Sequence, residues 1–141
     1  MTASVATRIQ LSYRDDLHLL VGRWLTDATL VEFQAEYTAV LAAAQAHNAW
    51  RWLLDVRRRP LPPVGSVEWL NGVFMPQAST AAPHQLCVAY LVSPQRMQAV
   101  AADDRLQAAV GHLVEGKPRS EVGMFNDEGD AMRWLTGKEA W

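Results

Sequence analysis

The ten residues Trp50-Arg51-Trp52-Leu53-Leu54-Asp55-Val56-Arg57-Arg58-Arg59 constrain the fold more than any other stretch. An apolar strand there ends in one acid and a run of arginines, with Pro60, Pro62 and Pro63 following. In an α/β protein the carboxyl end of such a strand is where loops present ligand-contacting groups. The stretch therefore sets the architecture and marks the expected binding edge.

The flanking pattern agrees with that reading. Residues 8–14 alternate, with Ile9, Leu11 and Tyr13 on one side and Arg8, Gln10, Ser12 and Arg14 on the other, a strand with one wet face. Asp15-Asp16 forms a turn, and residues 17–25 return as a second strand of an antiparallel hairpin. Thr29-Leu30-Val31-Glu32 has the spacing of a capping box. Leu30, Phe33, Tyr37, Val40, Leu41 and Ala44 then carry an amphipathic helix to His47-Asn48. After the strand over 50–56, Ser66 is placed to cap a helix in which Val67, Leu70 and Phe74 share a face. Residues 76–83 read as a loop. Residues 86–92 are apolar throughout, as in a strand buried on both faces. Ser93-Pro94 opens a helical region reaching about Leu113, with a break expected near Asp103-Asp104. A mobile polar loop at 115–120, a last strand at 122–125, and a helix capped by Asn126-Asp127-Glu128 and buried through Ala131, Trp134 and Leu135 complete the chain. The predicted fold is α/β: a mixed, mostly parallel five-stranded sheet with a leading β-hairpin and four main helices, as one domain over residues 1–141.

The chain has 141 residues and a formal net charge of −2, without the basic excess of a general nucleic-acid binder. One cysteine, Cys87, rules out an internal disulfide and suits a reducing compartment. No apolar run approaches the roughly 20 residues of a membrane span, and residues 1–8 show no secretory signal. A cytoplasmic location is expected. Six tryptophans, at 24, 50, 52, 69, 134 and 141, are expected mostly in the core with partners for their indole N–H groups, Trp141 excepted.

Several blocks resemble the SpoIIAA-like proteins of the STAS/SEC14 (CRAL-TRIO-like) group. They are Leu20-Val21-Gly22-Arg23, Leu53-Leu54-Asp55-Val56-Arg57, Val88-Ala89-Tyr90-Leu91-Val92 and the closing Phe125-Asn126-Asp127-Glu128-Gly129-Asp130-Ala131-Met132-Arg133-Trp134-Leu135. The resemblance implies a small bacterial α/β domain that acts by binding, as a regulatory protein partner. Some STAS domains are switched by phosphorylation of a serine or threonine in the loop between the third strand and the next helix, within a D-S-S-G-like motif. Here that region reads Pro62-Pro63-Val64-Gly65-Ser66-Val67-Glu68, which places Ser66 at the position but lacks the motif. SEC14-like relatives imply an alternative, a small apolar, lipid-like ligand held between helices and sheet.

The candidate contact residues are Arg57, Arg58, Arg59, Ser66, Trp69 and Phe74. Arg57–59 with Arg51 could form an anion site, completed by Ser66 and its helix start, since guanidinium groups grip phosphate or carboxylate in forked geometry. The other reading is a solvated loop in which Arg57 pairs with a carboxylate. Asp55, facing away from Trp52 and Leu54, is expected to orient Arg57 or a loop. Trp69, Leu70, Phe74 and Met75 either line an apolar pocket or pack the core. His18, His47, His84 and His112 lack metal-ligand spacing, and Cys87 reads as a buried hydrophobe. No G-x-S-x-G, phosphate loop or dinucleotide fingerprint occurs. The expectation is a non-enzymatic domain with no catalytic residue, metal or cofactor. Its expected partner is another protein or a second copy of itself. A homodimer would be called for if the Trp50/Trp52/Leu54 row or the His18/Leu20/Trp24 row were left bare.

Overall fold

The computed structural model describes residues 8–59 and 61–137. Trp141 and most of the N-terminal stretch read for a signal lie outside them. Strands β1 (Ile9–Arg14) and β2 (Leu19–Trp24) form the hairpin, followed by α1 (Leu30–His47) and β3 (Arg51–Asp55). A continuous helical rod comes next: α2 (Ser66–Trp69), a π-helical stretch (Leu70–Phe74) and α3 (Met75–Ala81). Then follow β4 (Leu86–Leu91), α4 (Pro94–Ala101), α5 (Asp104–Val114), β5 (Ser120–Phe125) and α6 (Glu128–Thr136). The sheet order is β1-β2-β3-β4-β5, antiparallel at the hairpin and parallel elsewhere. The expected mixed α/β sheet is therefore present.

The strand order decides where the helices lie. Right-handed crossovers that each step one strand in the same direction put every connecting helix on the same face. That face carries Leu20, Trp24, Trp52, Leu54, Val88 and Tyr90, packed under α1 to α5. The opposite face carries Leu19, Val21, Leu53, Cys87, Ala89 and Leu91, covered by Ala131 and Leu135 of α6. β1 lies at the sheet edge, and its Gln10, Ser12 and Arg14 are exposed. The wet side of that strand thus has two causes at once, an edge position and one-sided helices.

Local signals explain most boundaries. Thr29 and Glu32 form the expected capping box, Glu32 N–H donating to Thr29 Oγ1 at 3.2 Å and Thr29 N–H to Glu32 Oε1 at 2.9 Å. Asn48 ends α1 in the left-handed conformation and accepts from Trp50 Nε1 at 2.8 Å. Ser93 caps α4, and the break between α4 and α5 falls at Asp103, which caps α5. The break raises the expected four main helices to five.

Two expectations need correction. Residues 76–83 are not all loop, because α3 runs to Ala81. A proline inside an α-helix crowds the carbonyl four residues back; the wider π turn just before Pro76 relieves that crowding and lets the rod continue. Nor does Ser66 cap α2. The cap position is Gly65, at φ +84°, a left-handed conformation that glycine adopts without strain, and Ser66 is already helical. Among the described residues, no helix is long and apolar enough to cross a membrane.

Candidate functional site

The carboxyl ends of β2, β3 and β4 meet at one edge, and arginines stitch their loops together there. Arg59 is 2% exposed. Its Nη1 and Nη2 donate to the two carboxylate oxygens of Glu36, each at 2.9 Å. Its Nε donates to the Thr26 carbonyl at 2.6 Å, in the loop between β2 and α1. Arg96 Nη1, from the start of α4, donates to the Arg59 carbonyl at 2.8 Å. Two loops and the first turn of α4 are thereby clamped to each other.

Glu36 is fully buried, and its carboxylate also takes Arg8 Nε at 2.8 Å and Trp24 Nε1 at 2.9 Å. A buried carboxylate holding two guanidinium groups and an indole is fully satisfied; losing one member of such a pair costs about 3–5 kcal/mol because a charge is left uncompensated. The Arg59 guanidinium also lies 5.6 Å from the Trp24 ring centroid. These contacts make Arg59 a structural clamp, not a ligand group. Glu36 was missed in sequence. The signal was present: it lies three residues after Phe33 and four before Val40, inside the apolar stripe of α1.

The other arginines separate. Arg57 points to the α6 face, where Nη2 meets Asp55 Oδ2 at 2.9 Å and approaches Glu128 Oε1 at 3.6 Å. Arg23 bridges the same two acids, at 2.8 Å to Asp55 and 2.9 Å to Glu128. Burial pushes the Asp55 carboxyl up, but the hydrogen bonds from Arg57 and Arg23 outweigh it and hold its pKa below the ordinary value. Arg58 is exposed. Arg51 opens β3 at the amino edge, roughly 13 Å along the strand from Asp55, and donates to the carbonyls of Leu17 and Leu135. The four arginines cannot converge on one anion, since they sit at two edges and on two faces of the sheet.

Ser66 is fully buried, and its Oγ has no hydrogen-bond partner. Trp69 is half-buried and Phe74 is 2% exposed, in an aromatic cluster with Phe33, Tyr37 and Trp52. The cavity enclosed near this helix and the sheet measures only about 20 Å³, room for one water and not for an acyl chain. Trp69 and Phe74 are core. At the cavity wall the Tyr37 and Tyr90 hydroxyls share a hydrogen bond of 2.7 Å, and burial pushes the Tyr90 phenol up to about 12.

Three large apolar side chains stand outward at this edge among exposed polar groups. Val31 in the first turn of α1 is 75% exposed, and Leu61 and Val64 in the β3–α2 loop are 53% and 80% exposed. Leu61, Val64 and neighbouring prolines line a shallow cleft of about 110 Å³ reaching Leu106 of α5. The exposed Arg57 and Arg58 flank it in sequence. Among the described residues, no group of three or more His, Cys, Asp or Glu side chains is placed to hold a metal ion. Both rows whose exposure would call for a dimer are covered within the chain: Trp50, Trp52, Leu54, Leu20 and Trp24 are buried.

No family model, curated protein or solved structure matches this chain.

Proposed function

We propose that this chain is a non-enzymatic binding domain of SpoIIAA-like type whose carboxyl edge docks a protein partner. The observation that carries the reading is the placement of Val31, Leu61 and Val64, large apolar side chains left in solvent on the first turn of α1 and on the β3–α2 loop, both tied to the buried Arg59. A preformed edge avoids the ordering cost of binding, and apolar groups kept exposed on an otherwise well-covered core mark a contact surface. Arg58, exposed in the same loop, adds a positive charge, whereas Arg57 is engaged by Asp55 and Glu128 on the α6 face, so the partner presents an apolar side chain with a carboxylate near it. Of the six residues expected to make contact, Arg58 keeps that role, while Arg57 is held by Asp55 and Glu128. Arg59, Ser66, Trp69 and Phe74 support the edge from within.

The test compares wild type with V64D and R58E, and with E115K at the opposite edge as control. Cross-linking in the native cell followed by affinity capture should yield one stoichiometric protein that V64D and R58E lose and E115K retains. Light scattering on the purified chain identifies a second copy as that partner if the mass is double and V64D halves it. Retention of every captured protein by both edge variants, with a monomeric mass, overturns the reading.

A further inference from the structure

Helix α4 buries a cation where an apolar side chain is expected. The one residue it buries is Arg96, 8% exposed, while Met97 is 49% exposed, Val100 half-buried and Ala101 exposed. Arg96 Nη1 reaches the Arg59 carbonyl, but Nε has no hydrogen-bond partner. Among the described residues no carboxylate pairs with it. Glu36, the acid buried in the same layer, is already occupied by Arg8, Arg59 and Trp24. A guanidinium removed from water without a counter-charge is strongly unfavourable.

The same arginine forms part of the wall of a groove of about 220 Å³ between α4, α5 and β5. Its other walls are hydrocarbon from Val92, Met97, Val100, Val110 and Met124, with Gln107 the one further polar side chain among them. This volume falls below the range of drug-sized sites. We propose that the groove binds a small monocarboxylic acid with an apolar body. Arg96 takes the carboxylate, and Met97, Val100, Val110 and Met124 take the hydrocarbon. One guanidinium in an apolar setting matches a single negative charge. A phosphate monoester, with nearly two charges at neutral pH, is left half-compensated there. The site stands apart from the docking reading and does not depend on it.

Isotope-labelled full-length chain titrated with sodium octanoate, sodium acetate and 1-octanol, followed by amide NMR, tests the assignment. Octanoate should shift amides of α4, α5 and Met124 saturably, with affinity at least tenfold above both acetate, which lacks the body, and octanol, which lacks the charge. R96M should lose that advantage over octanol. Because R96M also removes the bond to the Arg59 carbonyl, V100W provides a second check, filling the groove with Arg96 intact; it should abolish octanoate shifts while the spectrum outside α4 and α5 stays unchanged. Equal affinity for octanoate and octanol, undiminished octanoate binding by V100W, or no saturable shift at millimolar octanoate overturns the proposal.

Discussion

Asp55 joins three elements through one carboxylate. It accepts from the Arg57 backbone N–H at 3.1 Å, from Arg57 Nε at 3.0 Å and from Arg23 Nη1 at 2.8 Å, and Arg23 continues to Glu128 on α6. Its role was legible in the sequence as an acid facing away from Trp52 and Leu54; that Arg23 and Glu128 complete the group was not, because they lie 32 and 105 residues apart from their partners. The carboxylate is nearly buried but both arginines are partly solvated, so D55N should cost about 1–2 kcal/mol at neutral pH instead of the larger loss of a fully buried pair. The folded pKa lies below the unfolded one. The contribution is therefore complete above about pH 4–5 and disappears as pH falls through the lowered folded value. Urea unfolding of D55N and wild type should differ at pH 7 and converge as pH falls through the lowered folded pKa. A gap that stays constant across that range removes Asp55 as its source.

At the scale of elements, the rod from Ser66 to Ala81 shows where local pattern succeeds and where it misleads. Val67, Leu70 and Phe74 are buried as their spacing predicts. Ser66 looked like a cap because serine before an apolar-periodic run commonly caps. Yet Gly65 takes that place, and the hydroxyl is left buried and unbonded. Removing an unsatisfied buried hydroxyl relieves a desolvation cost, so S66A should be neutral or stabilising by up to about 1 kcal/mol in chemical denaturation. A loss of about 1 kcal/mol would restore the capping role. Helix α4 departs from the ordinary pattern: the face shared by Arg96 and Val100 turns inward, and its one fully buried side chain is the cation, while Met97 and Ala101 stay exposed.

For the whole molecule, one short helix decides whether the second face of the sheet is sealed. Ala131 and Leu135 of α6 are fully buried over Leu53, Cys87, Ala89 and Leu91, and Arg51 donates to the Leu135 carbonyl near the end of that helix, where a cation is favoured. A131D should undock α6 by burying an unpaired charge. The Cys87 thiol, 2% exposed in the native fold, should then react rapidly with an aromatic disulfide reagent without denaturant, while wild type reacts only on unfolding. Slow reaction by both would show that α6 does not seal that face. By itself the sequence determined the strands, the capping box, the hairpin and the break at Asp103, because each depends on groups within a few residues of one another. Only the tertiary structure decided which face each helix covers, where the four arginines go and that Glu36 is interior. Those outcomes follow from strand order, crossover handedness and through-space charge pairing, all of which join residues that the chain itself keeps far apart.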